Sequence, residues 1–285
     1  IEPETADGEW SEWLDVHDNI NHNLAGVIWS ALGSPRATER WSAAHCVRTL
    51  IEFNCSAVIH ELMTWAEHNK VGSFGSHLFP FYNLHARQYL LIALARVSKD
   101  LPDRLIRYSS LLKKYTLESD HILIQKFASD SCLNIESAFS GTFDAHTIEA
   151  LLYTTKSKFP LRDVKKRQYQ TESYWHTNKL IDENVEYHFA WDFDRYWYQP
   201  LGDVFGIPEK QVEDLAASVL VTEWRNDYDG KHQSDPRVGI WNRNSSERET
   251  WHGQGRHPKA GNLDFYLRYH AMLVVAGRLL QKMPV

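Results

Sequence analysis

Three stretches of this chain repeat a pattern that packed helices satisfy and strands do not. Residues 39–53 (ERWSAAHCVRTLIEF), 85–100 (HARQYLLIALARVSKD) and 120–136 (DHILIQKFASDSCLNIE) each set a basic residue ahead of small and aliphatic residues at helical spacing. With Arg40 aligned on Arg87 and Lys126, Cys46 falls on Ala93 and Cys132, and Val47 on Leu94 and Leu133. Arg87 lies 47 residues after Arg40, and Lys126 lies 39 after Arg87. Such offsets match the period of repeats in which each unit is a pair of helices. Small residues let neighbouring helices approach closely, and the aliphatic stripe is buried only when the next unit stacks on it.

The intervening segments supply partner helices: 56–68 (SAVIHELMTWAEH), 102–115 (PDRLIRYSSLLKKY) and 144–153 (DAHTIEALLY). Gly72, Gly75, Pro80 and Gly141 mark the breaks between them. The expected fold is therefore mainly α. Residues 37–158 read as a short HEAT- or armadillo-like α-solenoid, and residues 173–285 as a smaller, mostly helical C-terminal domain with a long polar loop. An irregular helical bundle with accidental self-similarity is the competing reading. Residues 1–36 form a leading helical segment. There Trp10, Trp13, Leu14 and His17 recur at three and four, and Gly33, Ser34 and Pro35 stop a second apolar run.

Residues 159–172 read as a basic linker, with Arg162, Lys165, Lys166 and Arg167 close together. A basic run is usually a solvated face; the functional alternative is a phosphate or nucleic-acid contact. Behind it, residues 173–186 read as helix. The second half is anchored by an aromatic cluster: Phe189, Trp191, Phe193, Tyr196, Trp197 and Tyr198. Pro200, Gly202 and Gly206 are expected to break the chain before Pro208 opens a helix with Glu209 in its first turn. The buried stripe of that helix is Val212, Leu215, Ala216, Val219 and Leu220. A last helix over 262–283, capped by Asn262 with Asp264 behind it, presents Phe265, Leu267, Met272, Val275 and Leu279.

Composition narrows the class. A net charge of −6 argues against a general nucleic-acid binder. No apolar run reaches the ~18 residues of a membrane span. Cys46, Cys55 and Cys132 are odd in number, widely spaced and never in CxxC, which suits free thiols in a reducing, cytoplasmic compartment. The opening Ile1-Glu2-Pro3-Glu4 carries neither start Met nor signal peptide, so an excerpt of a longer chain is expected.

Chemistry is thinly signalled. The P-loop pattern GxxxxGK[ST] and the patterns GxGxxG, GxSxG and HExxH do not occur, and His60-Glu61 lacks a second His at Thr64. The turn Asp227-Tyr228-Asp229-Gly230 resembles the middle of a calcium loop without its flanking ligands. The most suggestive run is Trp251-His252-Gly253-Gln254-Gly255-Arg256-His257-Pro258. Trp251, His252, Arg256 and His257 there read as a binding surface. Alternatively His252 and His257, with Asp235 or Asp229 as oxygen ligand, hold a metal that activates water for a hydrolase or nuclease. The structural alternative is that both histidines hydrogen-bond the loop while its glycines turn it. The pair Asp192 and Asp194 projects to different faces of either a strand or a helix, so Asp194 reads as an arginine partner or a helix cap. A nuclease reading would take Asp163 and Lys165 with Asp144 upstream, but no strand pattern surrounds them.

The C-terminal blocks FDRYWYQPLGDVFGIPEKQVEDLA, EW, ETWHGQGRHP and NLDFYLRYHAMLVVAGRLL resemble a region of very large bacterial NTPases of the STAND or NACHT class that act in defence against phage. The resemblance spans roughly residues 187–285, with looser HEAT-like similarity over 37–158. In that class a nucleotide-binding module lies upstream of long helical repeats. The resemblance implies a non-catalytic sensor or scaffold segment that binds a protein trigger or the remaining domains of its parent chain, with no cofactor of its own. The family's ATP-binding residues have no counterpart here, because the motif that bears them does not occur.

Overall fold

The computed structural model describes residues 17–68, 74–75, 80–161, 187, 193–225 and 263–285. Among the described residues all regular structure is helical. Seven helices come first: α1 (Ile20–Leu32), α2 (Ala37–Glu52), α3 (Ser56–Glu67), α4 (Phe81–Asp100), α5 (Ser109–Glu118), α6 (Ile122–Ala138) and α7 (Ala145–Tyr153). The three repeated stretches are α2, α4 and α6. These pack successively, α2 on α4 and α4 on α6, while α1 packs on α3 and α5 on α6.

Local chemistry sets the ends. Asn19 caps α1 by accepting from the Asn21 N–H, and Asp144 caps α7 by accepting from the Thr147 N–H. The Ala66 carbonyl in the last turn of α3 accepts from Arg87 Nε at 3.2 Å and from the Tyr115 hydroxyl, so α4 and α5 satisfy a group that α3 leaves open. α5 starts later than its apolar pattern predicts. Two 3-10 turns, Pro102–Arg104 and Ile106–Tyr108, precede it and turn Leu105 and Tyr108 into the core. The aligned positions of the repeats do not share one environment. Arg40 is fully buried, Arg87 half-buried and Lys126 exposed; Cys46 is exposed where Ala93 and Cys132 are buried. All three cysteines are free thiols, and burial pushes that of Cys132 up to about 12.

The described C-terminal elements are a π-helical turn (Asp194–Tyr198), α8 (Gln199–Phe205), α9 (Glu209–Ala217), a second π-helical turn (Ser218–Glu223) and α10 (Leu263–Lys282). The break expected from Pro200 to Gly206 is confined to its end. Pro200 sits in the first turn of α8, directly behind the π-helical turn, and Gly202 lies inside that helix. Only Gly206 breaks the chain, at φ 67°, a left-handed conformation that favours glycine. Pro208 stands one place outside α9 as its N-cap, not at its first position. The stripe Val212, Leu215, Ala216, Val219 and Leu220 is buried, as are Leu267, Val275 and Leu279 of α10. Of the described aromatics Phe193 and Tyr198 are buried and Tyr196 is exposed.

Two cores result, one within α1–α7 and one among the C-terminal elements. Phe81 and Tyr82, at the start of α4, belong to the second core, where Phe81 packs on Trp224 with ring centroids 5.7 Å apart. No helix among the described residues is long and apolar enough to cross a membrane.

Candidate functional site

Trp251, His252, Arg256 and His257 of the Gly-rich loop, Arg162, Lys165, Lys166 and Arg167 of the basic run, and the alternative metal ligands Asp235 and Asp229 lie outside the described residues. So do Asp192, Asp163, Asn262 and residues 173–186. Asp144 has a structural task. Its Oδ1 accepts from the Thr147 N–H and its Oδ2 from the Thr147 hydroxyl, each at 2.8 Å. Glu61 is likewise engaged, accepting from Asn19 Nδ2 at 3.1 Å and lying 2.9 Å from His22 Nδ1, which ties α3 to α1.

Three constellations bring polar or concave chemistry together. The first is a buried histidine cluster where α10 meets the N-terminal helices. α2 supplies Arg40, α4 supplies His85 and Tyr89, the N-cap of α6 is His121, and α10 supplies Tyr266 and His270. His121 Nδ1 accepts from the Ile124 N–H at 3.3 Å, so its proton sits on Nε2. That Nε2–H lies 2.9 Å from His270 Nδ1 and donates to it, which leaves the proton of His270 on Nε2. His85 packs against His270, ring centroids 4.9 Å apart. The Arg40 guanidinium stacks on Tyr89 and Tyr266 at 5.1 and 4.8 Å and donates to the carbonyls of Ser34 and Pro35 at 2.6 and 2.9 Å, closing the α1–α2 corner. Burial holds all three histidines neutral, with His121 lowered to about 3; for His85 and His270 the Arg40 charge adds to the effect. Rings so enclosed cannot reach a substrate, so the cluster clasps the two parts of the molecule together.

The second is acidic. Asp194, which opens the first π-helical turn, meets Glu209 and Glu213 on successive turns of α9, with a carboxylate oxygen from each within 4.8 Å of the others. Burial, then the Glu213 charge, pushes Asp194 up to about 7, against the opposing charge of Arg268. Its Oδ1 is enclosed and accepts no hydrogen bond. Asp194 is thus the first residue of its turn and not its cap. An all-oxygen set of this kind suits a hard cation such as Ca2+ or Mg2+. Lys210 already brings a positive charge there, 3.5 Å from Glu213 and 2.9 Å from Asp214.

The third is apolar. A cavity of about 560 Å³ lies between the stretch that follows α7 and the faces of α8 and α10, with Ile122, Phe205, Ala276 and Leu280 in its lining. A neighbouring cavity of about 380 Å³ shares Tyr153, Thr155, Lys156 and Ser157 with it, so the two adjoin along that stretch. Ser157 donates to the Met283 carbonyl at 3.3 Å, which joins the groove's wall to the end of α10.

None of the three was legible as a site. The histidine pair is separated by 149 residues, and each member alone reads as an ordinary helical histidine. The groove is lined by residues whose individual patterns mark only core positions. The chain matches no family model and no curated protein.

Proposed function

We propose that this chain is a non-catalytic recognition and scaffold segment of a larger protein, a HEAT-like α-solenoid with an adjoining helical domain. In the fuller form of the proposal it is the sensor region of a cytoplasmic bacterial defence NTPase that binds a protein trigger, while the nucleotide binds elsewhere in the parent chain. One observation carries the reading: α2, α4 and α6, the three helices matched in sequence, pack in chain order against one another with α1, α3 and α5 alongside. Stacking of like units in chain order is how repeat proteins bury their apolar stripes, and it yields extended surfaces suited to a macromolecule. The enclosed histidines fit the same reading, because they hold elements together and offer no group to a reactant.

The test has two arms. Elemental analysis and hydrolysis assays on the purified chain, made without added metal, are expected to find no stoichiometric transition metal and no turnover. A metal lost on changing His252 and His257 to Ala would establish the metal-dependent hydrolase reading instead. In the parent protein, disrupting the α2–α4–α6 stack is expected to abolish trigger-dependent ATP hydrolysis and to leave nucleotide binding intact.

A further inference from the structure

We infer that the groove between the α7–Leu161 stretch and α8/α10 is a docking site for an acidic, amphipathic helix of a partner protein. The inference rests on the recognition reading and names the surface that would carry it. Isolated exposed apolar residues are unremarkable on a protein surface; several gathered around one concavity are informative. Here Tyr153, Leu161 and Val204, exposed to 59%, 81% and 50%, all line the larger cavity, above a floor of Ile122, Phe205 and Leu280. Leu152 is exposed beside Tyr153, and Leu117 lines the second cavity, so apolar surface continues past the first hollow. A small ligand would fill one hollow and leave that surface wet. A helix laid along both covers it with side chains at i, i+3, i+4 and i+7.

Charge selects the occupant. Lys156 borders both cavities and Lys158 the second, against one acidic side chain in the lining, Glu149. Both lysines are exposed, and Lys156 rests its ammonium over the Tyr153 ring at 5.2 Å. The chain then continues into Arg162, Lys165, Lys166 and Arg167, a local reversal in a protein of net charge −6. A second copy is disfavoured, since a two-fold interface sets the same net-basic rim against itself. A helix with an apolar stripe flanked by Glu or Asp satisfies both the floor and the rim, and such complementarity also speeds encounter.

The experiment uses the whole chain and two labelled designed peptides, followed by fluorescence anisotropy. One carries Leu and Trp along a helical stripe with Glu elsewhere; the other has Lys in place of Glu. Saturable binding of the acidic peptide is expected, weakened by about tenfold or more in Val204→Asp and in the double variant Lys156→Glu/Lys158→Glu, as for loss of a buried anchor or a charge pair. The double variant should gain binding of the basic peptide. Equal binding of both peptides by the wild-type chain, binding of neither, or concentration-dependent dimerisation abolished by Val204→Asp would each overturn the inference. So would binding of anionic vesicles in place of the peptide. Val204→Asp introduced in the parent protein separates this inference from the wider reading. Should trigger-dependent ATP hydrolysis survive it, the groove assignment falls and the recognition reading stands. Loss of that response only on disrupting the α2–α4–α6 stack would place recognition on another face of the same segment.

Discussion

Replacing His270 by Phe tests the neutrality of the histidine cluster directly. The new ring suits its aromatic neighbours Phe81, Tyr266 and Tyr269, but it neither titrates nor accepts a hydrogen bond. In the native fold burial lowers the values of His85, His121 and His270, and the fixed charge of Arg40 stands in the same cluster. A histidine kept neutral in the fold contributes stability that is fully present above its unfolded value near 6.5 and is lost as pH falls below it, down to the folded value. Between about pH 7.5 and about pH 5.5 that loss comes to roughly 1 kcal/mol for each such histidine, and so to a few kcal/mol for the three. His270→Phe leaves two, reducing the loss by about a third. It also strands the His121 Nε2–H, a pH-independent cost of about 1–3 kcal/mol. Urea unfolding of both proteins at the two pH values measures the change, and the remaining histidines cancel in the comparison. The variant should be the weaker at the higher pH, with the gap narrowing by roughly 1 kcal/mol at the lower. A gap that stays constant or widens would refute the reasoning, since His270 would then gain its proton as readily in the fold as in the unfolded chain.

Other substitutions probe single contacts. Tyr115→Phe removes a hydroxyl that α3 uses to satisfy the Ala66 carbonyl, which keeps Arg87; a loss of about 0.5–1.5 kcal/mol in urea unfolding is expected. Asp144→Ala removes the cap of α7 and should lower the thermal midpoint by a few degrees. Asp144 is held below the ordinary carboxylate range by the Thr147 N–H and hydroxyl, so the native advantage should fade in acid as that carboxylate is protonated. Asp194→Asn has the opposite sign. A carboxyl raised from near 3.8 to about 7 loses stability as pH climbs between those values, so the Asn variant should gain on the native protein across that interval and hold its advantage above it. Thermal melts at acidic and alkaline pH read the difference.

What the sequence disclosed and what it withheld divide along chain distance. α2, α4 and α6 were legible because a buried stripe at three and four is written within one helix, in residues such as Val47, Ile51, Leu90, Leu94, Ala128 and Cys132. The onset of α5 was not, because Leu105 and Tyr108 have helical spacing yet are buried from 3-10 turns. Pro200 and Gly202 read as breakers, and tertiary packing overrode that propensity within α8. The two π-helical turns and the His121–His270 bond have no local signature at all. The groove gave no local hint, because its lining comes from separate stretches whose patterns each mark only core positions.

The contact between α10 and the start of α6 lies beside the groove, and this makes one substitution inform both. Gly277 faces the corner where α6 begins: a Cβ there would lie 1.9 Å from the Asp120 carbonyl oxygen. The next residue, Arg278, binds Asp120 at 2.8 Å and grips Glu223 with two bonds of 2.6 and 2.9 Å. α10 is thus held against α6 at a separation that admits no side chain at position 277. Ala276 and Leu280, on either side of this contact along α10, line the groove with Ile122, two residues beyond Asp120. Gly277→Ala must therefore push α10 away from α6 or tilt it. Overpacking of this kind costs about 1–3 kcal/mol. The same displacement separates Ile122 from Ala276 and Leu280, so it opens the floor on which an apolar anchor would sit. Acidic-peptide affinity, measured well below the melting point where the variant remains folded, is expected to fall by about tenfold, the equivalent of roughly 1.4 kcal/mol. A lowered melting temperature with unchanged affinity would show that the groove keeps its shape independently of that contact, and would sink the claim that α10 sets the geometry of both.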